Sequence, residues 1–183
     1  MLYYLHGYQS TPNSTKGTLF QKKLNALSID YNQGKTEDLR IDVCVQNILN
    51  AIQGDDDAKL VGSSLGGLLA AKVALERSSV KMLILLNPAI IPPYEDVSMI
   101  KGIPQRILSE MRDDQLFEKK ITAAMTILMA TNDEVIPRNW ILDFAMVQEA
   151  TVRFLNDDHA FTSSPARLPS IVQQIAYFHK SLS

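Results

Sequence analysis

The five residues Gly62-Ser63-Ser64-Leu65-Gly66 lie between a short apolar run, Ala58–Val61, and an apolar helical run that begins at Leu65. A serine-centred turn between a strand and a helix needs glycine two residues before and after the serine, because a side chain there would collide with neighbouring backbone. Such a turn projects the serine hydroxyl above the sheet, and the start of the helix presents free N–H groups to an anion formed there. The pattern alone is also typical of a glycine-rich turn without chemistry, so the rest of the chain decides its meaning.

Apolar runs of strand length alternate with helical patterns along the 183 residues. Continuous apolar strands that alternate with helices indicate a parallel sheet covered on both faces. We therefore predict one α/β domain over residues 1–183, with a doubly wound, mostly parallel sheet of about six strands. The predicted strands are Leu2–Leu5, Ser28–Tyr31, Lys59–Val61, Met82–Leu86, Thr126–Ala130 and Thr151–Leu155, and the predicted helices are Lys16–Leu27, Arg40–Gln53, Leu65–Arg77, Asn139–Val147 and Ala166–Leu182.

The segment from Pro88 to Ile121 interrupts this alternation, because it contains no strand candidate. It carries several prolines and a charged amphipathic pattern that predicts a helix over Gln105–Lys120. An insertion at the C-terminal edge of a parallel sheet lies where such sheets bind ligands. We predict a small helical cap over about residues 90–120. Its apolar side chains could line a pocket or only pack the cap onto the body; they are Ile90, Ile91, Tyr94, Met99, Ile103, Leu108, Met111 and Phe117.

Composition excludes several classes of protein. The formal net charge is −2 without a basic stripe, so nucleic-acid binding has no electrostatic basis here. The one cysteine, Cys44, cannot form an internal disulfide, and its place on an apolar helical stripe predicts a buried residue. No apolar run approaches the roughly 18 residues of a membrane span. The first residues lack the features of a signal peptide, so we expect a cytoplasmic protein.

A serine nucleophile needs a base, and the base needs an orienting carboxylate. The sequence has three histidines. His179 lies near the end of the last predicted helix, where a surface role is expected. His6 follows the first strand, and His159 follows the last strand. In sheets with a serine elbow the chain order is serine, acid, histidine, each after a strand; Ser64 and His159 fit that order.

The acid should lie between Ser64 and His159 and follow a strand. Asp133 meets both conditions, because it comes after the strand Thr126–Ala130. Its neighbour Glu134 is an alternative. Asp157 and Asp158 are weaker alternatives, because residues adjacent in a loop seldom aim their side chains at each other's rings. Their simpler interpretation is a polar turn.

A tetrahedral oxyanion needs backbone donors. One should be the N–H of Leu65, which follows the serine, and the other should come from the loop after the first strand. Gly7 lets that backbone approach closely, and Tyr8 supplies the N–H in this interpretation. His6 is expected to support the loop by hydrogen bonds. Metal ligation by His6 lacks a suitably spaced partner, so we expect neither a metal nor a cofactor.

The motifs Leu5-His6-Gly7-Tyr8, Val61–Gly67, Asn87-Pro88-Ala89, Asp133-Glu134-Val135 and Asp158–Phe161 together resemble those of the YqiA-like family of small bacterial esterases, in the α/β-hydrolase superfamily. The resemblance runs from Leu2 to about Phe178. It implies a compact α/β-hydrolase fold that lacks the first two strands of larger relatives, and hydrolysis of carboxylic esters with short acyl chains. The matching positions give Ser64 as nucleophile, Asp133 as acid and His159 as base.

The sequence therefore predicts a serine carboxylesterase that acts on a small-molecule ester through an acyl-enzyme. The same acyl-serine would also serve a thioesterase or an acyltransferase. A non-catalytic binding protein with this fold is a third possibility, which the ordered serine, acid and histidine disfavour.

Overall fold

The computed structural model describes residues 1–33, 36, 38–163 and 165–180. Six strands form one sheet in the order β2-β1-β3-β4-β5-β6, and all five neighbouring pairs are parallel. This confirms the predicted doubly wound sheet. The strands are β1 (Leu2–Leu5), β2 (Leu27–Ser28), β3 (Ala58–Ser63), β4 (Val80–Leu86), β5 (Ala124–Asn132) and β6 (Thr151–Asp158).

Helices cover both faces of this sheet. Successive strand residues point to opposite faces, so Tyr3 and Leu5 pack in one apolar cluster while Tyr4 packs in the other. None of the described helices is long and apolar enough to cross a bilayer. The helices are α1 (Thr15–Leu24), α2 (Ile41–Ala51), α3 (Leu65–Glu76), α4 (Gln105–Met111), α5 (Gln115–Glu118), α6 (Arg138–Gln148) and α7 (Leu168–Lys180), with 3₁₀ turns at Val97–Met99 and Pro165–Arg167.

The first helix is shorter than its apolar pattern predicts. It ends at Leu24 because Asn25 adopts a left-handed conformation (φ 58°), a common way for a helix to end. Leu27, predicted on the buried face of the helix, instead begins β2 and is half exposed. The predicted strand over Ser28–Tyr31 is correspondingly shifted towards the N-terminus.

The predicted single helix over Gln105–Lys120 is wrong. The chain leaves the helical conformation at Arg112 (ψ 127°), so that α4 and α5 are separate. The carboxylate of Asp113 explains the break, since it accepts the backbone N–H of Gln115 at 3.1 Å and binds the ammonium of Lys72 on α3. We call residues 90–120 the β4–β5 segment.

The C-terminal helix begins later than predicted, at Leu168, after the 3₁₀ turn. The predicted end of this helix at Leu182 and the side chain of His179 lie outside the described residues.

Five strands are each followed immediately by a polar residue at the same edge of the sheet. Because all the strands are parallel, their carboxyl ends meet at this edge. The residues that follow β1, β3, β4, β5 and β6 are His6, Ser64, Asn87, Asp133 and His159.

Candidate active site

The turn at Ser64 has the strained geometry that its glycines predict. Ser64 has φ 53° and ψ −117°, a conformation that side-chain-bearing residues rarely adopt. A Cβ on Gly62 would lie 2.3 Å from the carbonyl oxygen of Gly66, and a Cβ on Gly66 would lie 2.2 Å from that of Leu5. The Ser64 N–H donates to the carbonyl of Leu86 at 2.9 Å, which holds the turn against the end of β4.

The structure brings Asp133 and His159 together. The two carboxylate oxygens of Asp133 lie 3.0 and 2.9 Å from Nδ1 of His159. One of these oxygens also accepts the backbone N–H groups of Val135 and Ile136, at 2.8 and 2.9 Å. The Asp133 side chain is only 5% exposed. Two backbone N–H groups therefore fix the Asp133 carboxylate, which in turn binds Nδ1 of the His159 imidazole. Nε2 of that ring is left for proton transfer.

The alternative acids have other partners. Glu134 accepts the backbone N–H of His159 at 3.4 Å and does not contact its ring nitrogen. Asp157 is buried and accepts the N–H groups of Asp158 and Ser163, both at 3.0 Å. Asp158 accepts the backbone N–H of Thr162 at 2.9 Å. These carboxylates bind backbone N–H groups of the loop after β6, whereas the Asp133 carboxylate is hydrogen-bonded to the His159 ring.

Asn87 connects the end of β5 to the loop that carries His159. Its buried amide donates to the carbonyl of His159 at 3.0 Å and accepts the N–H of Ala130 at 2.8 Å. Its φ of 42° is in the left-handed region, which asparagine tolerates better than most residues. Sequence reasoning quoted Asn87 only within a motif, although its position directly after β4 was a signal of proximity to the site.

The loop after β1 is held by His6 and Tyr31. Nδ1 of His6 lies 2.9 Å from the carbonyl oxygen of Gly7, and the Tyr31 hydroxyl donates to the carbonyl of His6 at 2.8 Å. The two rings stack with centroids 4.3 Å apart. Burial lowers the pKa of His6, which favours the neutral ring. Sequence reasoning missed Tyr31, which comes from the chain after β2.

This loop closes as a turn in which the N–H of Ser10 donates to the carbonyl of Gly7 at 3.2 Å. The turn does not use the N–H of Tyr8, and the N–H of Leu65, in the first turn of α3, has no acceptor within its helix. Both groups were predicted as oxyanion donors. Among the described residues no group of three or more His, Cys, Asp or Glu side chains could hold a metal ion.

Two cavities meet at Ser64, Tyr8 and His159. The first has a volume of about 360 Å³ and an apolar lining that includes Ile91, Leu108, Met111 and Trp140; we call it the apolar cavity. Ile103 also lines it, whereas Tyr94 and Met99 are exposed.

The second cavity has a volume of about 480 Å³; we call it the polar cavity. It extends towards the start of α1 and the loop after β6. Its lining combines the rings of Tyr4, Phe161 and Pro165 with hydroxyl groups and one ammonium, from Ser10, Ser14, Thr15, Lys16 and Thr162.

Solved structures with the same fold come from several organisms. Est1E from Butyrivibrio proteoclasticus superposes with a TM-score of 0.79 at 20% identity, over 98% of this chain and 88% of that one. Alpha/beta hydrolase domain-containing protein 10 from mouse gives 0.76 at 21% identity, over 100% and 90% of the two chains. The meta-cleavage product hydrolase CumD from Pseudomonas fluorescens IP01 gives 0.75 at 14% identity, over 98% and 90%. At these identities the similarity shows the α/β-hydrolase fold.

A search of curated proteins finds no match. A family model does match, over residues 1–176, and it covers nearly the whole chain. The motifs that resemble the YqiA-like esterases lie within this range. The chain belongs to the family described as Uncharacterised protein family (UPF0227).

Proposed function

We propose that this protein is a serine hydrolase that cleaves carboxylic esters with short acyl chains. The observation that carries the proposal is the hydrogen bond between Asp133 and Nδ1 of His159 at the carboxyl edge of the sheet. At this edge His159 and the strained Ser64 line the same two cavities. A binding protein would need no carboxylate fixed behind a histidine and no strained serine beside it.

In the proposed reaction, Nε2 of His159 removes the proton of the Ser64 hydroxyl as Oγ attacks the acyl carbon. Asp133 keeps the proton of the imidazole on Nδ1 and stabilises the imidazolium that forms. The N–H groups of Leu65 and Tyr8 donate to the oxyanion. His159 then protonates the leaving alcohol, and water releases the acid from the acyl-enzyme by the same steps. None of these steps uses a metal or a cofactor.

The apolar cavity supports the preference for short acyl chains. Its volume of about 360 Å³ lies near the lower end of the range of ligand pockets, about 300–1,000 Å³. The β4–β5 segment supplies Ile91, Leu108 and Met111 to its lining, in keeping with the proposal that this segment is a cap over the site. The flexible side chain of Met111 allows modest adaptation to the acyl group.

Hydrolysis of p-nitrophenyl esters from acetate to palmitate tests the substrate class. We expect kcat/KM to be highest for acetate or butyrate and to fall as the chain outgrows the cavity. Ser64→Ala should abolish turnover, whereas Ser63→Ala is the matched control that should retain most of it.

Two results would contradict the proposal. A maximum at long acyl chains would indicate a lipase. A preference for acyl-CoA over every ester would indicate a thioesterase or an acyltransferase, which would use the same acyl-serine.

A further inference from the structure

The polar cavity differs from the apolar cavity in chemistry, although both open onto Ser64 and His159. Four consecutive residues of the loop after β6 line it, from His159 to Thr162. His159 must reach the oxygen of the leaving alcohol to protonate it. The cavity built around the histidine loop is therefore the natural place for the alcohol half of an ester, and the apolar cavity is left for the acyl half.

Lys16 is the cation of this cavity. Its ammonium donates to the carbonyl of Ala160 at 2.8 Å. An ammonium has three N–H donors, so the bond to Ala160 leaves donors for a bound hydroxyl. The hydroxyls of Ser10 and Thr15 line the same cavity and can both donate and accept, whereas the Thr162 hydroxyl donates to Asp158 and can only accept from a bound ligand.

The charges around the polar cavity disfavour an anionic alcohol. Burial lowers the pKa of Lys16, and the nearby carboxylates of Asp158 and Asp157 oppose this shift only in part. Asp133 and Glu134 add negative charge on the other side of His159. Four carboxylates therefore stand against two ammonium groups, that of Lys16 and that of Lys101 in the adjoining apolar cavity. This negative local balance would repel a carboxylate or phosphate on the alcohol but not neutral hydroxyls.

We infer that the polar cavity binds the alcohol half of the ester and selects neutral alcohols that carry several hydroxyl groups, such as a glycerol or sugar unit; this inference rests on the proposed function. In the reaction, Oγ of Ser64 bonds to the acyl carbon and the bond from that carbon to the alcohol oxygen breaks. The alcohol oxygen takes the proton that His159 received from Ser64. Hydroxyls elsewhere on the alcohol are held by Lys16 and its neighbours while this happens.

Three butyrate esters with three-carbon alcohols test the inference. They are propyl butyrate, glycerol 1-monobutyrate and the butyrate ester of 3-hydroxypropanoate, and release of butyric acid is followed in a pH-stat. We expect kcat/KM for the glycerol ester to exceed that for the propyl ester by about 10- to 100-fold, from one or two hydrogen bonds that involve a charged donor. The carboxylated ester should be the poorest substrate.

The variant Lys16→Met keeps most of the apolar stem and removes the donors. It should lower kcat/KM for the glycerol ester by about tenfold or more and leave the propyl ester within about threefold. Lys23→Met is the matched control, since Lys23 lies on the same helix and does not line the polar cavity. It should change neither value.

Equal rates for the glycerol and propyl esters would overturn the inference and leave the proposed function intact. So would an equal loss on both esters in Lys16→Met, because that pattern indicates a purely structural role through Ala160. Preference for the carboxylated ester would replace the inference with an anion site. Failure to hydrolyse any of the three esters, together with absence of acylation at Ser64, would overturn the proposed function itself.

Discussion

Replacing Asn87 should damage both the stability of the protein and the position of its histidine. The asparagine is fully buried and joins β4, the end of β5 and the loop of His159 through two hydrogen bonds. Asn87→Gly removes both bonds while keeping a residue that accepts φ 42° without steric cost. Asn87→Ala removes the same bonds and adds the strain of a left-handed alanine.

The structure sets the size of the effect. The buried N–H of Ala130 would lose its acceptor, which costs about 1–3 kcal/mol, and the partly buried carbonyl of His159 would lose a donor worth about 0.5–1.5 kcal/mol. We therefore expect Asn87→Gly to lower the free energy of unfolding by about 1.5–4.5 kcal/mol. Asn87→Ala should lower the free energy of unfolding by about 1 kcal/mol more, because alanine is strained in the left-handed conformation.

Urea denaturation at 25 °C measures these differences, and kinetics with p-nitrophenyl butyrate measures the effect on the site. Because His159 loses the tether on its backbone, kcat should fall about 10- to 100-fold with little change in KM. Asn139→Ala is the control, as Asn139 is exposed at the start of α6. The energetic reasoning is refuted if both Asn87 variants have free energies of unfolding within about 0.5 kcal/mol of the parent's. The positioning role is refuted if Asn87→Gly retains full kcat.

Three further changes have definite expected outcomes. Asp133→Asn should lower kcat about 10³–10⁴-fold while the fold stays intact by circular dichroism, because its amide would present N–H to Nδ1 of His159 and favour the wrong tautomer; near-normal activity would point to Glu134 or Asp157. Gly66→Ala should reduce stability by about 3 kcal/mol, since its Cβ would meet the Leu5 carbonyl at 2.2 Å; unchanged urea denaturation would contradict this. Burial raises the pKa of Cys44 and of Tyr4 to about 12 each, so both groups ionise at lower pH in the unfolded chain than in the folded protein. The free energy of unfolding should therefore fall as the pH rises from about 9 to about 11. Cys44→Ala or Tyr4→Phe should flatten that fall, and equal slopes in parent and variants would contradict it.

The apolar pattern was sufficient to predict the sheet. Buried parallel strands are nearly continuous apolar runs, so Met82–Leu86 and Thr126–Ala130 were recognisable before their partners were known. Parallel strands place the loops that follow them at one edge of the sheet, and the chain order of serine, acid and histidine then predicted Ser64, Asp133 and His159 as site residues. Boundaries were less accurate, because the left-handed turn at Asn25 leaves no trace in the apolar pattern.

The contacts that the sequence did not reveal are long-range ones between single polar groups. The amide of Asn87 and the hydroxyl of Tyr31 each donate to a backbone carbonyl of a distant loop. Asp113 ends α4 through an ion pair with Lys72, 41 positions away in the chain. No periodicity marks such residues, since each makes its contact only once the sheet has brought the loops together.

Labelling with a fluorophosphonate, followed by peptide mapping, tests the central claim most directly. The probe forms a covalent bond only with a serine that an adjacent base activates. The account predicts modification at Ser64, complete loss of labelling in Ser64→Ala, and retained labelling in Ser63→Ala. Labelling that persists in Ser64→Ala, or no labelling of the folded parent protein, would contradict the assignment of Ser64 as the nucleophile.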